Sequence, residues 1–331
     1  MRKTLILTLL ALLGLTGYAQ NTMLVGDVNH DNVIDIADQI ILSNIILQKQ
    51  APEVASFSAD GKITYNTVKT VQLINAVDFN VAIKKLVDRS ATIISFDGDV
   101  QLITFMKRGS ADGTLVSTSG SQGEARAVYN PAKNEIIIYV DGDVLELPAN
   151  SSSMFFRFPD LVNIDWGTST GLRLNTSNVT DMNAMFDVCA SLRSLDLSQF
   201  DTQNVTNMCA MFYQCDKLES IVFGEKFDTR NVTNMSGMFG NCYSLPALDL
   251  SCFITKKVTD MSDMFGSCYV LEDLKLGTNF TIRDACDASH IVSAIADGLS
   301  GKCTITCTPD TQTKIEGAQG TDATKIIWNT L

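Results

Sequence analysis

Between residues 151 and 280 the apolar positions return with a long, regular period. Leu192, Leu195 and Leu197 fall at the spacing Leu-x-x-Leu-x-Leu, repeated by Leu245, Leu248 and Leu250 and again by Leu271, Leu274 and Leu276. Leu218, Ile221 and Phe223 hold the same places in the copy between. Ahead of each strand-like stretch stands Met-Phe and then a cysteine: Met185-Phe186 with Cys189, Met211-Phe212 with Cys215, Met238-Phe239 with Cys242, Met264-Phe265 with Cys268. Those cysteines are 26, 27 and 26 residues apart. A polar phrase opens each copy, as Asn178-Val179-Thr180-Asp181-Met182, Asn204-Val205-Thr206-Asn207-Met208, Asn231-Val232-Thr233-Asn234-Met235 and Lys257-Val258-Thr259-Asp260-Met261. Met154-Phe155, Phe158, Leu161, Ile164 and Trp166 repeat the apolar spacing and predict a fifth copy at the start. A period in the twenties with this leucine pattern predicts coils that each supply one strand, and no such coil can bury its stripe alone. The expected fold class is an α/β repeat, a leucine-rich-repeat-like solenoid over residues 151–280.

The flanks change period. Residues 91–150 alternate apolar and polar, with Asp97-Gly98 between Thr92–Phe96 and Val100–Phe105 and Asp141-Gly142 between Glu135–Val140 and Val144–Leu147. Asp-Gly between alternating runs predicts two β-hairpins, and so a β-rich N-terminal cap. Ser117 to Glu124 reads as a mobile Gly/Ser-rich loop. In the C-terminal cap, 281–331, Ile291, Val292, Ile295 and Leu299 predict a helix over 287–299, and Cys303–Cys307 and Lys325–Trp328 predict short strands.

The blocks Leu195–Met208 and Asn231–Phe239 resemble the BspA-like leucine-rich-repeat surface proteins. That resemblance covers 151–280 and implies a bacterial surface or secreted protein with a non-enzymatic, adhesin-like binding role. It transfers no ligand residue.

Met1-Arg2-Lys3, the apolar run to Thr16 and the small residues Gly17 and Ala19 read as a secretory signal peptide over 1–19. That run is shorter than the ~20 residues a membrane span needs. The expected location is exported, extracellular or at the cell surface, with a periplasmic location also open, and no transmembrane segment in the mature chain.

Residues 20–90 carry the one chemical motif. Asp27, Asn29, Asp31, Asp35 and Asp38 fall at positions 1, 3, 5, 9 and 12 of a calcium loop, with Val33 offering its backbone carbonyl at position 7. Six hard oxygens at that spacing predict one Ca2+ site. With too few residues before Asp27 for an entering helix, the half-hand resembles a dockerin module. Ser56, Ser58, Asp60 and Thr67, followed by Val68–Ile74, outline a second half with poor ligands. Ile36-Ala37 stand where dockerins usually carry partner-reading residues, which departs from cohesin binding.

Charge narrows the partners. With 25 basic and 37 acidic residues the net charge is −12, so nucleic acid is not an expected partner. The parts for catalysis are missing too: only His30 and His290 occur, and no nucleophile motif or phosphate loop is present. Asp165, Asp196 and Asp249 share one strand position, interrupted by Val222 and Lys275, and form the candidate partner-binding column. Cys189, Cys215, Cys242 and Cys268 read as stacked buried thiols, since Phe158 continues their column, with disulfide and metal as alternatives. Repeated Asn-Val-Thr reads as backbone satisfaction between coils rather than glycosylation. Two functions fit: a surface presented to an extracellular protein or glycan, or an assembly component docked to an envelope partner through the calcium module.

Overall fold

The computed structural model describes residues 68–331 apart from 97, 108–111 and 298–300, together with the backbone of Ser56–Phe57 and Ile63–Thr64. The chain divides into two compact units, 1–68 and 69–331. In the first, β1 (Ser56–Phe57) pairs antiparallel with β2 (Ile63–Thr64).

The second unit opens with β3 (Thr70–Gln72) and helix α1 (Ala76–Lys84), started by Asn75, whose side chain accepts the Asp78 N–H. Val68–Ile74, expected to continue a second half-hand, therefore contains a strand. Residues 69–90 belong to the cap of the repeats, which moves the expected boundary at 90. The reason is packing. Phe79 meets Phe155 edge-on at 6.0 Å, and Asn80 Nδ2 donates to the carbonyls of Ser153, Met154 and Phe156. Lys84 is fully buried, donates to Ile93 O and Phe156 O, and lies 5.1–6.0 Å from the rings of Phe96, Phe156 and Phe158. Burial pulls its ammonium down to about 8.

Strands β4 (Leu102–Lys107), β5 (Thr114–Leu115), β6 (Ala125–Asn130), β7 (Glu135–Val140), β8 (Val144–Glu146), β9 (Asn163–Asp165) and β10 (Arg173–Asn175) build two cap sheets, ordered β5-β6-β7-β4-β9 and β10-β8-β3. Neither expected hairpin forms. Thr92–Phe96 is not a strand, β4 runs parallel to β7 and β9, and β7 and β8 lie in different sheets. Gly98 and Gly142 are absent from the positive-φ residues that a primed hairpin turn requires. Each permits a close approach instead: a Cβ would press on Val87 at Gly98, and on Val71 and the Lys69 carbonyl at Gly142. The loop read as mobile is pinned to β3, because Ser121 Oγ accepts the Gln72 N–H and Gln122 Oε1 the Thr70 N–H.

From Asn150 on, successive copies stack in parallel. Bridges join Asn150 to Asp181, Asp181 to Asn207, Asn207 to Asn234, Asn234 to Asp260 and Asp260 to Asp287. After each bridge every second N–H donates to the next coil: Met182 to Asn207 O, Ala184 to Cys209 O, Phe186 to Met211 O and Val188 to Tyr213 O, all at 2.9–3.0 Å. Between them run tight turns, such as Met185 N to Met182 O, with Ala184 and Val188 at positive φ. Donors spent on the next coil, and residues in the left-handed region, cannot continue an α-helix. The helical half of the expected α/β repeat is accordingly replaced by turns, and the two α-helices among the described residues lie in the caps. The same geometry extends past 280. Asp263 N donates to Ser289 O and Phe265 N to Ile291 O, so residues 287–296 form another coil where a helix was expected.

Apolar columns fill the stack. The rings of Phe155, Phe186, Phe212, Phe239 and Phe265 lie near parallel at 5.4–5.8 Å. Buried Thr176, Thr202, Thr229 and Thr255 each donate to a carbonyl of the following coil and accept an N–H from it, as Thr229 Oγ1 does with Ile254. Strands β11 (Ser194–Leu197), β12 (Ser220–Phe223), β13 (Ala247–Leu250) and β14 (Asp273–Leu276) line the opposite side. β15 (Cys303–Cys307), α2 (Pro309–Glu316) and β16 (Ile326–Thr330) complete the C-terminal cap.

Candidate binding surface

The strand side does not repeat the regularity of the turn side. β11 pairs with β12, and β13 continues through β14 and β15 to β16, but no backbone hydrogen bond joins β12 to β13. Two residues account for the interruption. Pro246 stands where the neighbouring coils have Glu219 and Glu272, whose N–H groups donate to Arg193 O and Pro246 O, and proline has no N–H to give. Phe223 replaces the leucine of the other strands, and its ring meets Phe253 of the next coil at 5.4 Å. The exit from β12 is a residue longer than the one before it, Gly224-Glu225-Lys226 against Ser198-Gln199, a length repeated after β14 by Gly277-Thr278-Asn279 with the ladder there intact. Gly224 is obligatory, since a Cβ would collide with the Ser198 carbonyl.

Burial follows. Leu195, Leu197, Leu248, Leu250, Leu274 and Leu276 are buried, whereas Ile221 and Phe223 at the same positions are only half-buried. Val222, on the outer face between them, is 54% exposed.

The candidate column divides. Asp196 and Asp249 are exposed on the strand face, in register with Val222 and Lys275 respectively. In each, one carboxylate oxygen accepts the N–H two residues on, from Ser198 or Ser251, and the second oxygen of Asp249 faces the Lys275 ammonium. Hydrogen bonds from Ser251 hold the Asp249 carboxyl below its ordinary value, with Lys275, 4.0 Å away, adding to the effect. Asp165 is apart from them. It is half-buried, accepts from Gly167 N, and its strand β9 pairs with β4. The column thus supplies two carboxylates with an exposed valine between them. On the sequence Val222 stands only as an interruption of the column, and Pro246 is the signal that marks the break.

The calcium ligands Asp27, Asn29, Asp31, Val33, Asp35 and Asp38 lie outside the described residues, as does the signal peptide. Among the described residues, no group of three or more His, Cys, Asp or Glu is placed to hold a metal ion, and no helix is long and apolar enough to cross a membrane. Cys189, Cys215, Cys242 and Cys268 are free and buried, each donating its thiol to a phenylalanine carbonyl of the preceding coil at 3.1–3.3 Å. Burial pushes all four up, Cys189 and Cys268 to about 12, which leaves them as packing groups rather than nucleophiles or ligands. The Asn-Val-Thr side chains tie coils together: Asn204 Nδ2 donates to Ser177 O, Asn231 Nδ2 to Gln203 O, and Thr206 and Thr233 to the threonine carbonyl one coil back.

The site is thus a surface and not a pocket: along β11 to β14, a row of parallel strands with Asp196, Val222, Asp249 and Lys275 at its outer positions, parted between β12 and β13. Residues 152–280 match the family model described as a Mycoplasma protein of unknown function, DUF285, a family associated with BspA-like surface repeat proteins. No curated protein and no solved structure matches the chain.

Proposed function

We propose that this is an exported, adhesin-like bacterial protein of the BspA-like type, a leucine-rich-repeat-like solenoid that presents its strand face to an extracellular protein or glycan without chemistry of its own. The observation that carries the proposal is the strand face itself. Its outer positions Asp196, Val222, Asp249 and Lys275 are exposed on a rigid backbone, while the opposite side is consumed by turns and inter-coil bonds. Extended surfaces of this kind are what stacked coils offer a partner. Against an immobilised host extracellular-matrix preparation, the chain from Gln20 should be captured in EDTA as well as in calcium. Asp196→Lys with Asp249→Lys should lower that capture at least tenfold; unchanged capture overturns the role of this face.

A second function rests on Asp27, Asn29, Asp31, Val33, Asp35 and Asp38: one Ca2+ held by a dockerin-like half-hand that docks the chain to an envelope partner. Its signature is capture on the producing cell's envelope extract that EDTA or Asp27→Ala with Asp31→Ala abolishes. Calorimetry with no calcium uptake beyond that double variant overturns the metal site.

A further inference from the structure

The interruption between β12 and β13 is built by two separate features of the chain. Pro246 withholds the donor that would close the ladder, and the Phe223 ring occupies a leucine position and meets Phe253 of the next coil. Its effect is local, because the turn-side bonds between the same two coils, Met208 N to Asn234 O through Gln214 N to Gly240 O, are all made. The coils therefore stay stacked while their strands part. Val222 stands exposed at the lip, with half-buried Ile221 and Phe223 behind it. On the outer face Asp196 lies one strand to one side and Asp249 one strand to the other, at steps of roughly 5 Å or more. The ordered pattern is carboxylate, apolar, carboxylate.

We infer that this notch is the specificity-determining part of the strand face and that it takes an extended protein segment carrying an apolar side chain flanked by lysine or arginine. The inference rests on the binding role proposed above and adds the class of partner. The apolar side chain covers Val222 and the openings over Ile221 and Phe223. One basic side chain reaches the outer oxygen of Asp196, and the other shares the outer oxygen of Asp249 with Lys275, which stands 4.0 Å from it. The backbone of the segment crosses the outer face at right angles to the strands, because Asp196, Val222 and Asp249 are lined up across them. A glycan would engage the carboxylates but has no use for the apolar centre, and an acidic segment is repelled by both flanks.

The test uses the whole chain and labelled synthetic peptides read by fluorescence polarisation at low salt. One peptide carries Lys-Ser-Ile-Ser-Lys between Ser/Gly ends, a second replaces both Lys by Glu, and a third replaces Ile by Ser. The first should bind at least about tenfold more tightly than either of the others, and added salt should weaken it, because exposed charges are screened. Val222→Ser should reduce its binding roughly tenfold, and Asp196→Asn with Asp249→Asn by a similar factor; Val222 is exposed, so its replacement leaves the core intact. Equal binding of all three peptides, or no change with Val222→Ser, overturns the inference. If the peptides fail while Asp196→Lys with Asp249→Lys still lowers capture on host matrix, only the notch is wrong. If neither responds, the strand face is not the binding surface at all.

Discussion

The turn side and the strand side of the repeats face opposite demands, and they differ in how much irregularity they carry. Along the turn side the bridges from Asn150 to Asp287, the ring column from Phe155 to Phe265 and the thiol column from Cys189 to Cys268 run without a gap. Along the strand side, within the same coils, the ladder stops between Phe223 and Ala247. Cohesion is thus concentrated where side chains from every coil meet, which leaves the strands free to vary in length, ladder and outer residue.

The strongest way to break the comparison is to remove one ring from the turn side. Phe212→Ala, between Phe186 and Phe239, should cost about 3–5 kcal/mol, measured by urea unfolding, because the stacked neighbours on both sides prevent collapse into the cavity. Val222→Ala on the strand side should stay within about 0.5 kcal/mol. Equal losses would mean that the strand face carries as much of the stability as the ring column. A smaller effect is expected at the corner where the strands exit. Thr229→Val keeps shape but strips the Ile254 N–H and carbonyl of a buried partner, and should cost about 1–3 kcal/mol by the same measurement. The finest probe changes no residue. In hydrogen exchange, the segment Ala247–Leu250, paired with β14 on one side alone, should lose protection before Met208–Phe212, whose coil is bonded to both of its neighbours. Matching protection would show that β12 and β13 pair in solution.

How legible these regions were in the chain follows from the kind of contact each makes. The strands at Leu195–Leu197 and Leu274–Leu276, the buried cysteine column and the inter-coil role of Asn204 and Thr206 could be read directly, because each depends on a residue type at a fixed interval. The turns could not. Nothing local distinguishes Asn183-Ala184-Met185 in a helix from the same residues in a turn, and the choice is made by the donors of the next coil. The hairpins at Asp97-Gly98 and Asp141-Gly142 failed for a related reason. Glycine there serves a close approach by Val87, Val71 and Lys69, which are remote from Asp-Gly in spacing or in sequence.

What the chain determines by itself is the period, the apolar stripe and the charge. A repeat that cannot bury its own stripe has to stack on a like neighbour, and a net charge of −12 directs it away from other anions. What only the tertiary structure decided is where the stack pairs and where it parts. A missing N–H at Pro246 and an oversized ring at Phe223 are unremarkable one by one. Stacking places both against one interface, and a parallel ladder with its donor gone and its spacing disturbed opens there and nowhere else along β11 to β14.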